Sequence, residues 1–377
     1  MKRAIAAVLL AALLCACAFA QAEAAGFGSI NADAVNIRKS AGGALIFRAE
    51  QGQNVFIDGA ETDAKGQDWY HIVIYRRPVQ NGSRCEGWVM AKFVDVADAD
   101  SRDITKVVLN NNGYMALHAD GTVSGTEIGF SDSEEVTERF AGLSGIRDIG
   151  TGLRTYVALG EDDALWQWGI RKLLDGERPY TELAARLIAS DTVEGCVFVT
   201  DTEVLLSSGT PPLEEYRFEP SGMPYAGEIA QAACFGPLIL LLNTQGELSA
   251  GGVGGAIPFE LSEWTELSRV DIFKSAASGR LSWDNMRLLG ARSDGTAIAW
   301  PEALQAQVAD WTNLTDVKLG EAFALGLQED GTVLCAGDEE IAAQVRAWEN
   351  VASIAAAETY CAAVTREGEL RFAGSVR

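Results

Sequence analysis

Histidine is almost missing from this 377-residue chain: there are two, His71 and His118, and neither stands in a recognisable catalytic or metal-binding spacing. A hydrolase needs a nucleophile with a base, a positioned carboxylate pair, or a metal. No Gly-x-Ser-x-Gly, no His-Glu-x-x-His and no phosphate-cradling glycine loop occurs in a fitting context. The run Gly251-Gly252-Val253-Gly254-Gly255 follows a strand pattern and opens no helix, so it reads as a turn. Each histidine reads as an ordinary strand residue, with ligand contact as the other reading. Cysteine is sparse as well. Past the first twenty residues it leaves Cys85, Cys196, Cys234, Cys335 and Cys361, an odd set without a Cys-x-x-Cys pair. That excludes a zinc site and predicts buried thiols with at most one disulfide, Cys335 to Cys361 being the favoured pair. No cofactor and no metal are expected.

Positive charge is also short. Thirty Lys and Arg face 53 Asp and Glu, a net charge of −23, which excludes binding to a phosphate backbone and disfavours simple electrostatic docking on an anionic wall. No apolar run reaches the roughly 20 residues that span a bilayer. The longest, Ala4 to Leu14, follows Met1-Lys2-Arg3 and ends in Ala18-Phe19-Ala20, the layout of a secretory leader. Residues 1–24 are expected to be such a leader, and the protein to be secreted or held at a bacterial cell surface. Leu14-Cys15-Ala16-Cys17 also has the look of a lipoprotein signal, with Cys17 as the lipidated residue, and membrane attachment is expected only in that case. Acidic clusters at Asp95, Asp98 and Asp100 and at Asp132, Glu134 and Glu135 lack the spacing of a calcium loop and read as solvated.

Strand patterns fill the remainder. Across residues 26–98, short apolar or alternating runs (Val35 to Ile37, Ala44 to Phe47, Asn54 to Ile57, Trp69 to Tyr75) are separated by turn formers such as Gly42-Gly43, Asp58-Gly59 and Asn81-Gly82, which predicts a small all-β barrel. Val35-Asn36-Ile37-Arg38, Asp68-Trp69-Tyr70 and Gly87-Trp88-Val89 leading to Phe93-Val94 resemble the bacterial SH3-like family, departing from it in a longer loop from Arg76 to Cys85.

Residues 101–377 carry a repeat. Trp311-Thr312-Asn313-Leu314 with Asp330-Gly331-Thr332-Val333 and Ala336-Gly337 recurs as Trp348-Glu349-Asn350-Val351 with Glu367-Gly368-Glu369-Leu370 and Ala373-Gly374. Traced backwards, its turn position falls at Gly368, Gly331, Gly295, Gly246, Thr202, Asp163 and Gly121, making seven copies at a period of roughly 40 residues, as a propeller blade requires. Glycine there suits a two-residue turn with positive φ, so Asp163 and Thr202 predict longer or strained turns. The pattern resembles the regulator-of-chromosome-condensation repeat family, which implies a seven-bladed propeller. The family's exchange activity on a small GTPase is intracellular and is not expected of an exported, acidic chain. Closure of the ring is expected through Asp103 to Leu109 pairing with the last blade, and the barrel and propeller are expected to fold independently.

Candidate ligand-binding residues are the barrel aromatics Trp69, Tyr70 and Trp88, each with a core role as its alternative, and Arg280, Trp283, Asp284 and Asn285 in an insertion that lengthens the fifth repeat. Trp264, Trp311 and Trp348 recur at one repeat position and read as packing between blades. The chain is thus expected to be all-β, a small SH3-like barrel plus a seven-bladed β-propeller. Its expected role is that of a monomeric, non-catalytic recognition protein, whose partner is a cell-wall glycan or peptide or a surface protein. A hydrolase of envelope polysaccharide or peptidoglycan with acidic catalytic residues, and a purely structural spacer, are the alternatives.

Overall fold

The computed structural model describes residues 25–75, 84–98, 100–128, 140–152, 155–169, 187–190, 195–199, 204–208, 217–218, 228–235, 238–252, 261–274 and 286–376. The first unit is one antiparallel sheet of seven strands. In spatial order these are Leu45–Ala49, Val35–Arg38, Arg84–Met90, Asp68–Tyr75, Asn54–Thr62, Gly26–Ile30 and Val94–Val96. Alternation builds it: Val35 and Ile37 are buried while Asn36 and Arg38 are partly exposed, as a period of two dictates. Gly87 must be glycine, because a Cβ would lie 2.7 Å from Ile37 Cγ2 and 2.8 Å from the Arg38 carbonyl. The two edge strands, Leu45–Ala49 and Val94–Val96, do not pair with each other. The small barrel expected from the sequence is therefore an open seven-stranded sheet.

From Ile104 onward the described residues form seven further antiparallel sheets. Blade one is Ile104–Leu109, Gly113–His118 and Val123–Glu127, and blade two is Ile146–Gly152, Thr155–Gly160 and Leu165–Gly169. Blade three has a fourth strand: Leu187–Ser190, Gly195–Val199, Val204–Ser208 and Arg217–Phe218. Blade four is Ile229–Phe235, Leu238–Asn243 and Leu248–Gly252, and blade five is Leu267–Lys274, Met286–Arg292 and Ala297–Trp300. Blade six is Leu314–Leu319, Phe323–Gln328 and Val333–Gly337, and blade seven is Val351–Ala356, Tyr360–Thr365 and Leu370–Gly374. The first strand of each blade adjoins the first strand of the next, and that of blade seven adjoins that of blade one, so the seven blades close a ring. Among the described residues, two short helices that the strand reading did not anticipate, α1 (Glu302–Val308) and α2 (Glu339–Val345), follow blades five and six.

The turn glycines do more than turn. Gly121, Gly246, Gly295, Gly331 and Gly368 all have φ between 79° and 89°. Each carbonyl accepts the N–H that opens the next blade: Ile146 at 2.9 Å, Leu267 at 2.9 Å, Leu314 at 3.0 Å, Val351 at 3.0 Å and, across the closure, Ile104 at 3.3 Å. A Cβ at Gly368 would sit 2.5 Å from Arg102 C and Asp103 N, so the following chain can approach this closely only against glycine. In Asp-Gly-Thr turns the aspartate holds the bend, since Asp294 Oδ1 accepts from Thr296 N at 2.9 Å and from its hydroxyl at 2.7 Å. Asp163, expected to strain its turn, adopts the same left-handed conformation at φ 65°, a region aspartate tolerates better than most residues. The Thr202 turn lies outside the described residues.

Ring closure also differs from expectation. The strand Ile104–Leu109 pairs with Gly113–His118 of its own blade, and blade seven is completed by its own three strands. Among the described residues no strand is exchanged. Instead Phe27 and Phe56 of the first sheet enter one aromatic cluster with Tyr114 of blade one and Tyr360 and Phe372 of blade seven, Phe27 lying 4.9 to 6.0 Å by ring centroid from the other four. Because the cluster straddles the seam, the first sheet and the propeller share a core. Independent folding is not what this packing predicts.

The repeated tryptophans are buried as expected: Trp264, Trp311 and Trp348 each anchor a cluster between sheets. The favoured disulfide is absent. Cys335 and Cys361 are free thiols in the apolar cluster between blades six and seven, and burial pushes the Cys335 thiol up to about 12. Cys85 and Cys234 are free as well.

Candidate functional site: a cleft at the joint

A cleft of about 460 Å³ opens where the first sheet meets blade seven. One wall is the sheet, contributing Asp58, Gly59, His71 and Trp88. The other is α2 with its capping residue and the end of blade seven, contributing Asp338, Glu340, Ile341, Gln344, Thr359, Gly374 and Ser375. The neighbouring strands Asn54–Thr62, Asp68–Tyr75 and Arg84–Met90 bring Asp58, His71 and Trp88 together, with Gly59 paired to His71 and His71 to Trp88. The His71 and Trp88 rings meet edge to face at 5.2 Å. His71 Nδ1 contacts Asp58 Oδ1 at 2.5 Å, and this hydrogen bond raises the imidazole above its ordinary 6.5 while burial works against it. Asp58 Oδ2 accepts from Ser375 Oγ at 2.7 Å, and Arg84 Nη2 donates to the Val376 carbonyl at 2.8 Å, so both walls are bonded at the cleft's edge.

Three residue types of a hydrolytic triad are present here, but the connectivity is wrong. Ser375 donates to Asp58, so its proton goes to the carboxylate rather than to a base. A second set in blade one comes closer. His118 Nδ1 lies 2.9 Å from Asp103 Oδ1 and Nε2 lies 2.8 Å from Ser124 Oγ, the order of a nucleophile, base and orienting acid. Ser124, however, donates to Asp98 Oδ2 at 2.8 Å, which also accepts from Tyr114 OH at 2.6 Å. The Ser124 hydroxyl therefore has two partners at 2.8 Å, Asp98 Oδ2 and His118 Nε2, and the carboxylate competes with the imidazole for its proton, which works against nucleophile activation. Asp98 also accepts from Ser101 Oγ at 3.2 Å, so the network pins the linking segment onto blade one. No sequence spacing signals it, because Asp98, Asp103, His118 and Ser124 are brought together only by the hairpin and the linker's path.

A cavity of about 470 Å³ lies along the inner strands, near the ring's axis. Lys106 pairs with Asp148 at 2.5 Å and Lys318 with Asp316 at 3.2 Å. Asp271 accepts from Leu319 N at 2.7 Å, and burial pushes its carboxyl up to about 6 against the attraction of Lys318. For Lys318, burial disfavours the charge but Asp316 and Asp271 outweigh it, and the ammonium's pKa is raised. Lys106–Asp148 and Asp271–Leu319 tie inner strands of neighbouring blades together, while Lys318 and Asp316 pair within one strand.

Of the residues singled out in the sequence, Trp69 is only 3 % exposed and donates Nε1–H to Asp63 Oδ2 at 3.1 Å, so it is a core residue. Tyr70 is half-buried and packs against the first sheet's core. Trp88 is half-buried and lines the cleft. Arg280, Trp283, Asp284 and Asn285, together with Cys17, Asp132, Glu134 and Glu135, lie outside the described residues. Asp95 accepts from Asn31 Nδ2 at 2.8 Å. Sequence reading missed Asp58, His71, Asp338 and Glu340 as a group; the pairing of Asp58-Gly59 with a strand bearing His71 was the available signal.

No family model matches the sequence, and no curated protein matches it. Among solved structures, the entire ectodomain of the receptor kinase CR4 from Physcomitrella patens is similar, with a TM-score of 0.51 and 14% identity over 72% of this chain and 74% of that one. The CRINKLY WD40 ectodomain of the Arabidopsis thaliana receptor kinase ACR4 follows at 0.48, with 12% identity over 72% and 97%. Prp20p from Saccharomyces cerevisiae gives 0.33, with 12% identity over 54% and 56%. At such identities only the fold is shared, and that fold is the β-propeller.

Proposed function

We propose that this chain is an exported, non-catalytic recognition protein of a bacterial envelope. The observation that carries the reading is the joint itself: two β units fused through one aromatic core leave an open cleft in which an indole faces a wall bearing the exposed carboxylate of Glu340. Rigid scaffolds that present such groups bind with little ordering cost. In both Ser–His–Asp sets a carboxylate within hydrogen-bond reach competes for the serine proton, which supports binding over hydrolysis. The leader-like residues 1–24 support export, and the SH3-like motifs of the first sheet support a place near the wall. Protein and glycan surfaces are the candidate partners.

The test is to incubate the purified chain with peptidoglycan sacculi, soluble wall glycans and a panel of surface proteins. Retention without turnover is expected. Release of soluble fragments would instead establish the hydrolase, and neither retention nor release would leave a structural spacer.

A further inference from the structure

We infer that the cleft at the joint holds an arginine side chain of a protein partner. This deepens the recognition reading and rests on it. The charged groups that line the cleft are the carboxylates of Asp58, Asp338 and Glu340 and the imidazole of His71, with no Lys or Arg among them. Asp58 is satisfied by His71 and Ser375, but Glu340 is exposed and has no ion-pair partner among the described residues; the nearby Arg346 pairs with Glu339 at 3.5 Å. The acids alone would be a solvated surface. The indole of Trp88, half-buried on the facing wall and in edge-to-face contact with the His71 ring, adds the element that selects the ligand.

A guanidinium is planar, stacks on an aromatic face and meets a carboxylate through paired N–H donors, all of which this pair of walls offers at once. An ammonium could satisfy the carboxylate but not the stacking geometry equally. The Gln344 side-chain oxygen already accepts from Gly374 N at 3.2 Å, so what its amide can offer a partner is N–H donors, suited to a backbone carbonyl. At about 460 Å³ the space accommodates one long side chain with its flanking backbone.

The experiment measures binding of fluorophore-labelled acetyl-Gly-Gly-Arg-Gly-Gly-amide to the full chain by anisotropy at low salt, against the same peptide with citrulline, which keeps the shape and removes the charge. The arginine peptide is expected to bind at least about tenfold more tightly, and to weaken as salt rises. Glu340→Gln, at an exposed position, and Trp88→Phe, which keeps an aromatic filler, should each weaken it severalfold with unchanged melting. Equal binding of the two peptides, no binding of either, or indifference to Glu340→Gln overturns the proposal. A wall glycan that competes for Trp88 while the arginine peptide does not bind would also overturn it. Retention on sacculi or a surface protein by the Glu340→Gln chain would leave the recognition reading intact while the cleft assignment fell.

Discussion

At the residue scale, the turn glycine is set by two demands that one pair of substitutions separates. Gly66 and Gly368 both have positive φ, 75° and 80°, but a Cβ at Gly66 meets nothing within 4 Å while one at Gly368 meets backbone at 2.5 Å. Gly66→Ala should cost only the left-handed strain, roughly 1–2 kcal/mol. Gly368→Ala should cost clearly more, read as a larger drop in the chemical-denaturation midpoint; equal costs would mean that close approach between blades is not what selects glycine. Asp271 makes a pH prediction. Its carboxyl titrates near 6 when folded against 3.8 when unfolded, so between those values the folded chain holds a proton that the unfolded chain has released. Stability should therefore fall as pH rises across that window and level off above it. Asp271→Asn should remove that part of the decline, and a variant with an unaltered melting profile from pH 4 to 7 would contradict the assignment.

At the scale of elements, α2 shows how one cap positions a wall of the cleft. Asp338 Oδ1 accepts from Glu340 N at 2.9 Å and Ile341 N at 3.1 Å, satisfying two N–H groups that a seven-residue helix cannot bond internally. The helix buries Ile341, Ala342 and Val345 against blades six and seven. By contrast, Pro301 before α1 makes no side-chain cap. Asp338→Ala should cost about 1 kcal/mol in urea denaturation, with Asp338→Asn close to neutral because asparagine caps as well. A loss shared equally by both variants would place the effect in charge rather than in capping.

At the scale of the whole molecule, the first sheet works as a clasp over the seam between blades one and seven. Phe27, 1 % exposed, contacts the aromatic rings of both. Phe27→Ala should cost about 3–5 kcal/mol and loosen the propeller along with the sheet. Hydrogen exchange should accelerate in Gly113–His118 and Tyr360–Thr365 as well as in Gly26–Ile30. A propeller fragment of residues 101–377 that melts like the full chain would show the clasp to be dispensable.

The sequence by itself determined what repeats locally. The hairpins, the turn glycines, the buried Trp264, Trp311 and Trp348, the number of blades and the all-β class follow from spacing and alternation, since each depends on residues a few tens of positions apart at most. Asp163 was legible as a departure from glycine, but its left-handed conformation depends on a tolerance that spacing does not reveal. Tertiary structure alone decided everything that joins distant segments. Ring closure, the aromatic core built from Phe27 and Phe372, and the cleft between His71 and Glu340 all bring together residues hundreds of positions apart, and the free thiols of Cys335 and Cys361, though only tens of positions apart, depend on how blades six and seven pack. Their apolar or acidic side chains look locally like any other strand or helix residue, and burial gives them meaning only once the ring has closed and the first sheet has settled on its seam.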